Sequence, residues 1–474
     1  MPSPARWNDD PDCGHHVTCA YQTHYCTYIR VSRLLTLQQP RTPDDRLLIT
    51  AHQWYELWFK VLLTDLRAAL ADEGRTYEPV KLLRRGVELF RLFEVHADLT
   101  ETVLVQELHL TQPVSDFVDL ATSGQFAQLM VLGRDLPRLA KRAAAGPVLG
   151  EAMRDYRAHF QAFRSRYQKF LKATLKPQAG APTYGAWLHL PELLALQSGP
   201  KAAWAEPGQM PTAIMEPEQI NVDENMFIIV HQCFEIWFRA ILDLIDRAIP
   251  ALQHGEVASA STLTRRVLMI QRLLVPQIQI PATMQPLDFL RFREQKTERA
   301  GKQLQRCLSP ASGTESYQFR EIEIVCGLRD DAVFQTYLAG NEKLPIRLIT
   351  PRQRERLQQP TLAEAFAQAV QARGLSDFTA LFTPADTVNP HADLAQLADI
   401  LIDFDDFFRF WRLNHVSMVQ KMIGTKSGTG FLGPEYLMET AGIQIQEKNR
   451  IFEERQVRPR FFEELWAVRT RLSV

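Results

Sequence analysis

Apolar residues recur at helical spacing along most of this 474-residue chain. Phe234, Trp237, Phe238, Ile241 and Ile245 follow the i, i+3, i+4, i+7 pattern of one helix face. Trp54, Trp58, Leu62 and Leu66 do the same in an earlier segment. Strand-like alternation bounded by hairpin turns is nearly absent, so the pattern predicts an all-α fold. A long aromatic-rich helix is expected over 401–423, with Lys421 in its last turn and Gly424 ending it. Segment 346–392 is polar and punctuated by proline, which predicts short helices and an excursion from the core.

The helical pattern is written twice. Residues 44–66 read DDRLLITAHQWYELWFKVLLTDL and residues 223–245 read DENMFIIVHQCFEIWFRAILDLI, identical at eight of 23 positions. A second matched pair precedes them, YCTYIRVSRLLTLQQP from Tyr25 and YGAWLHLPELLALQSG from Tyr184. Matched segments in the same order indicate a tandem duplication. The expected organisation is a polar tail at 1–20, a first copy over 21–175 and a second over 176–474. The Pro/Gly stretch KPQAGAPT marks the boundary.

Composition narrows the function classes. Lys+Arg total 54 and Asp+Glu 55, so there is no electrostatic footprint for nucleic acid or an anionic membrane. Six cysteines in this length do not make a disulfide framework. The opening MPSPARWNDDPDCGHH lacks the apolar core of a secretory leader, and no apolar run approaches a membrane span. A soluble, cytoplasmic protein is the expectation.

Several segments could carry chemistry. His415, in FWRLNHVSMVQKMIG, sits mid-helix among Phe408, Trp411, Val416 and Met418. It reads either as a satisfied core histidine or as an axial haem ligand walled by apolar side chains. The loop GTKSGTGFLG (424–433) follows a helix and lacks the ordered Gly-Lys-Ser/Thr of a phosphate loop. It reads as a helix cap and turn, or as a lid offering the Thr425 and Thr429 hydroxyls. In LDFLRFRE, Phe289 and Arg293 alternate rings and charges, on a solvated face or as a pocket wall and a guanidinium fork for a carboxylate. His52 and His231 each precede a glutamate by four residues (Glu56, Glu235), which is not a zinc-hydrolase motif and reads as imidazole orientation or helix support. Cys13, His15, His16, Cys19, His24 and Cys26 crowd the N-terminus in no standard zinc spacing.

Together these segments resemble the tryptophan 2,3-dioxygenase family. Its order appears in the second copy: YGAWLHLPELLALQ, DENMFIIVHQCFEIWFR, LDFLRFRE, LSPASGTESYQFREIE and WRLNHVSMVQKMIGTKSGTG. The resemblance implies an all-helical fold, haem b, dioxygen as co-substrate, an aromatic amino acid as partner and a homo-oligomer. It places the iron ligand at His415, the indole-pocket walls at Phe227 and Phe289, and the acceptor for the indole N–H at His231. It also places the carboxylate fork at Arg293, an ammonium-side hydroxyl at Thr429 and a haem-edge serine at Ser312. In the family an N-terminal arm closes a neighbouring subunit's pocket; here Tyr25, Tyr28 and Ile29 offer one version and Tyr184, Trp187 and Leu188 another.

The two copies depart from the family differently. In the first, Leu48 replaces the pocket phenylalanine, Ala121 stands where Arg293 would be, and no counterpart of the His415 helix precedes the linker. It reads as a non-catalytic partner. In the second, the loop reads GTGFLG, Trp187 replaces a tyrosine, and extra residues lie at about 295–307. The expectation is a haem-dependent oxygenase opening the indole ring of tryptophan or a substituted tryptophan to an N-formylkynurenine-type product. A haem-dependent hydroxylase of an aromatic amino acid and a non-enzymatic haem sensor or scaffold are the alternatives. The one-and-a-half-copy chain suggests an assembly of fewer chains, a dimer.

Overall fold

The computed structural model describes residues 25–71, 77–142, 147–198, 202–205, 213–215, 220–293, 296–299, 301–307, 316–329, 351–382, 388–424, 426 and 460–472. Helices dominate, as the periodicity predicts. Residues 25–174 contribute α1 (Tyr25–Ile29), α2 (Val31–Thr36), α3 (Pro43–Ala71), α4 (Tyr77–Thr100), α5 (Gly124–Gly133), α6 (Leu136–Arg142) and α7 (Pro147–Thr174). Then come α8 (Tyr184–Trp187), α9 (Leu190–Ala195), α10 (Val222–Gln253), α11 (Val257–Gln277) and α12 (Pro286–Arg293). The chain continues with α13 (Tyr317–Cys326), α14 (Pro351–Arg356), α15 (Leu362–Ala372), α16 (Ala392–Ile423) and α17 (Glu463–Arg471).

The chain forms two compact units, each built from separate stretches of sequence. One unit holds Cys26–Ile236 and Pro276–Leu308; the other holds Met1–Tyr25, Trp237–Val275 and Ser309–Val474.

The first of these units is built on α3. Thr42 and Asp45 start that helix reciprocally, each side chain accepting the other's backbone N–H at 3.2 Å, and Pro43 occupies the first turn. Nearly every side chain from Leu47 to Phe59 is buried, so α3 is a central helix and not a one-faced surface helix. Its Trp54, Tyr55 and Phe59 pack against Phe93 and His96 of α4 and Phe163, Tyr167 and Phe170 of α7. The ring contacts include Trp54–His96 at 4.2 Å and Phe93–Phe163 at 4.7 Å.

Two small sheets sit within the largely helical fold. β1 (Gln112–Val114) pairs in parallel with β2 (Leu175–Pro177), so the Pro/Gly stretch taken as a boundary is tied into this unit. β3 (Ala202–Ala205), β4 (Ala213–Met215), β5 (Lys296–Arg299) and β6 (Lys302–Cys307) form an antiparallel sheet in the order β4-β3-β6-β5. The extra residues after Arg293 therefore form a hairpin, turned by Gly301 at φ 73°.

In the second unit, α16 ends where the sequence indicates, with Gly424 at φ 62°, and begins earlier, at Ala392. Within the segment read as an excursion, the described residues 351–382 form short helices that pack inward. Thr361 and Glu364 make a capping box for α15, and Leu362, Phe366, Val370 and Leu381 are buried. Among the described residues, no helix is long and apolar enough to cross a membrane.

Candidate functional site

The site begins at the N-terminus of α10. Asn221 accepts the Glu224 backbone N–H at 2.7 Å, and Asp223 and Glu224 place negative charge at the positive end of the helix dipole. From this start Phe227 and His231 pack one turn apart with their rings tilted, centroids 4.5 Å apart. Phe289 and Phe292 of α12 complete an aromatic cluster, at 5.7 and 5.6 Å from Phe227 and 5.2 Å from each other. The Arg293 guanidinium lies 6.0 Å from the Phe289 ring centre and is half-buried. One side of this unit thus combines three rings, an imidazole and a cation.

The state of His231 follows from its bonds. Its Nδ1 lies 2.6 Å from the Phe227 carbonyl oxygen, which can only accept, so Nδ1 carries the proton. Burial pushes the imidazole down to about 4, against the opposing pull of the Phe227 carbonyl, so the ring is neutral at pH 7. A neutral ring protonated at Nδ1 presents Nε2 as an acceptor.

Beneath this cluster lies a buried ion network that the sequence reading did not single out. Lys81 Nζ on α4 contacts Asp223 Oδ2 and Asp288 Oδ2, each at 2.9 Å, and Glu78 Oε1 at 3.0 Å. Arg85 bonds Asp65 Oδ1 at 3.2 Å and Thr283 Oγ1 at 3.1 Å, and also pairs with Asp223. Burial works most strongly against the Lys81 charge, but the Asp223, Asp288 and Glu78 carboxylates together offset it and hold the ammonium above the usual lysine range. Asp223 is likewise penalised by burial yet held low by Arg85 and Lys81. No local signal marks these residues: Lys81 is 142 positions from Asp223 and 207 from Asp288.

The two arms dock crosswise. Tyr28 donates to Glu224 Oε1 at 2.9 Å, and the Ile29 carbonyl accepts from Gln232 Nε2 at 2.9 Å. These bonds bracket the stretch of α10 that carries Phe227 and His231. Conversely, Tyr184 donates to Glu56 at 3.2 Å, and the Leu188 carbonyl accepts from Gln53 Nε2 at 3.2 Å. Arg30 and His189, aligned in the two arm segments, share left-handed backbone at φ 53° and 52°. Tyr25 is buried at the start of the first arm.

His52, aligned with His231, sits in a sealed setting. It is fully buried, with Nε2 at 3.0 Å from Thr174 Oγ1 and Nδ1 at 3.3 Å from the Tyr184 hydroxyl. The Thr174 hydroxyl donates to the Phe170 carbonyl at 2.8 Å, so Nε2–H donates to Thr174. Trp187 closes over the ring at 5.2 Å. Phe117, aligned with Phe289, is 84 % exposed, whereas Phe289 is 6 % exposed. Tyr184 and Trp187 therefore lie against His52, and Tyr28 lies along α10.

His415 belongs to the other unit, on α16. It is half-buried, unlike His52, with the Trp411 ring 5.3 Å away one turn earlier. Its neighbour Arg412 bonds the buried Glu323 at 3.0 Å, which also accepts from Arg320 at 2.6 Å. Among the described residues no cluster of His, Cys, Asp and Glu could hold a bare metal ion. A partly open imidazole beside an aromatic ring is compatible with a haem ligand at His415. Ser312, Thr429, Thr425 and the cysteines and histidines numbered 13–24 lie outside the described residues.

Comparison with known proteins bears on this arrangement. The family model for tryptophan 2,3-dioxygenase matches residues 173–377 and 380–472, a span that includes Phe227, His231, Phe289, Arg293 and His415. A tryptophan 2,3-dioxygenase of Nocardioides sp. is 33% identical over 282 residues, covering 56% of this chain and 92% of that protein. One of Herpetosiphon aurantiacus is 33% identical over 309 residues, covering 62% and 99%. One of Caulobacter vibrioides is 29% identical over 310 residues, covering 61% and 98%. With the matched span exceeding half of its length, this chain belongs to the tryptophan 2,3-dioxygenase family of dioxygenase enzymes.

Proposed function

We propose that the protein is a soluble, cytoplasmic haem-dependent oxygenase that cleaves the indole C2–C3 bond of L-tryptophan or a substituted tryptophan. The observation that carries the reading is the grouping of Phe227, Phe289, Phe292, His231 and Arg293 in one cluster. Such a set suits a flat aromatic amino acid. The rings flank the indole, and Arg293 forks onto the carboxylate. Nε2 of the neutral His231 accepts the indole N–H; it orients the substrate and does not act as a strong base. His415 would hold the haem iron, and that group, when bound, supplies the activation of dioxygen. Ser312 and Thr429 are proposed at the haem edge and the substrate ammonium on the strength of the resemblance.

The chain is further proposed to be a tandem duplication whose first copy is non-catalytic. Sealed His52, exposed Phe117 and Ala121 in place of a cation support this division. Of the two arms, the one carrying Tyr25 and Tyr28 is proposed to close the catalytic pocket, because Tyr28 and Ile29 bind α10 on either side of Phe227 and His231.

One feature favours a second outcome, hydroxylation with the indole ring intact. The hairpin β5–β6 follows Arg293 by only a few residues and could alter which aromatic amino acid is held. Mass spectrometry of products from the reduced holoenzyme, given oxygen and a panel of indole and phenol amino acids, decides between them. Two oxygen atoms retained with ring opening is the expected result; one oxygen atom with the ring intact rejects cleavage. Arg293→Ala is expected to weaken amino-acid binding by about tenfold or more with haem retained. His415→Ala is expected to abolish the Soret band, and unchanged haem content rejects the ligand assignment.

A further inference from the structure

We infer that Lys81 and Arg85, on a helix that contributes nothing to the aromatic cluster itself, are positioning residues for the Arg293 carboxylate fork, which rests on the function proposed above. Lys81 Nζ joins Asp223 at the start of α10 to Asp288 on α12. Those two helices carry Phe227 and His231 on one side and Phe289 and Arg293 on the other. Arg85 adds a second tie. It holds Asp223 and also Thr283, in the 3-10 turn (Ile280–Thr283) that leads into α12. With Glu78, Asp223 and Asp288, Lys81 has a carboxylate for each of its three donors.

The need for such ties is physical. α12 has eight residues and cannot hold itself in water, so tertiary contacts set its direction. Two of those contacts are the buried rings Phe289 and Phe292, which leave freedom to slide and rotate. The Lys81–Asp288 pair fixes the first turn of α12, and Arg293 projects from its last turn. The pair is desolvated at Lys81, whose side chain is 3% exposed, so its geometry is held tightly. A fork on a substrate carboxylate loses much of its value when displaced by an ångström. The N-terminal part of the chain thereby contributes to substrate binding without touching substrate.

The test uses the full-length holoenzyme with Lys81→Met, Asp288→Asn, the double variant and Lys81→Arg. Two readouts are taken: the separate KM and kcat for L-tryptophan, and hydrogen–deuterium exchange of peptides covering 286–293. Each single variant is expected to raise KM by about tenfold with kcat held within about twofold, and to speed exchange in 286–293. The double variant should be no worse than the more affected single variant, and Lys81→Arg should recover most of the affinity. Asp288→Asn touches a partly exposed partner and keeps the test open if Lys81→Met fails to fold. Unchanged exchange in 286–293 overturns the anchoring, and faster exchange with unchanged KM overturns its link to the fork. Wild-type protein that binds no aromatic amino acid overturns the functional reading instead, and the exchange result still judges the anchoring.

Discussion

His231 and His52 occupy matching positions in two helices of similar sequence, yet their surroundings give them different capacities. His52 donates from Nε2 to Thr174, and its Nδ1 faces the Tyr184 hydroxyl, whose proton goes to Glu56, inside the core. His231 spends one nitrogen on its own helix, at the Phe227 carbonyl, and keeps part of its surface open. Burial lowers His231 to about 4 and His52 to about 3. The acceptor at His231 Nε2 is therefore lost only as pH falls through about 4. KM for tryptophan is expected to stay flat from about pH 8 to about pH 5, and an inflection near the ordinary histidine value would sink the neutral-imidazole role. The same shift has a stability consequence. Between the unfolded value of 6.5 and about 3, the unfolded chain takes up a proton that folded His52 refuses, so stability falls as pH falls. The full slope is about 1.4 kcal/mol per pH unit. In urea unfolding, His52→Gln should flatten the pH dependence by that amount across this window, and parallel curves for the two proteins would refute it.

At the level of elements, close approach of α3, α4 and α7 sets the core of their unit. Gly86 on α4 faces Tyr156 on α7; a Cβ there would meet the tyrosine ring, 2.8 Å from Cδ2, and would lie 3.4 Å from Leu62 on α3. Tyr156 is buried and has no open side to move into. Gly86→Ala is expected to destabilise by about 1–3 kcal/mol despite the better helix propensity of alanine. A thermal scan showing an equal or higher Tm would contradict the tight packing. Which elements could be read in advance follows from the range of the forces involved. α16 stops at Gly424 because a left-handed residue must end it, a local rule visible in sequence. The strand β6 was not legible: KQLQRC has little alternation of its own, and it is held by β3, about a hundred residues earlier in the chain. Lys81 was equally silent, since nothing around it in sequence indicates that its partners are Asp223 and Asp288. By contrast, Phe289 and Arg293 stood out as a ring and a charge in one short segment, the family resemblance pointed to Phe227 and His231, and these side chains do meet.

Across the whole molecule, the proposed closure of the pocket by the Tyr28 arm implies a change in reaction order. In the family pattern a neighbouring subunit supplies the closing arm, so closure depends on association. Here Tyr28 reaches Glu224 and Tyr184 reaches Glu56 within one chain. The arm is at an effective concentration set by connectivity and not by the amount of protein. Closure through Tyr28 should therefore persist at any dilution that leaves the chain folded, and kcat/KM is expected to stay constant over about a hundredfold dilution. Complementation gives the sharper measurement. Arg293→Ala retains an intact arm but lacks the fork, and Tyr28→Ala retains the fork but lacks the arm's bond to Glu224. If each arm serves its own chain, mixing the two inactive or weakened variants yields no more than the sum of their separate activities. If arms are exchanged between chains, one pocket in the mixed assembly gains both a fork and an arm, and activity rises above that sum. Such a rise would reject the self-contained arrangement.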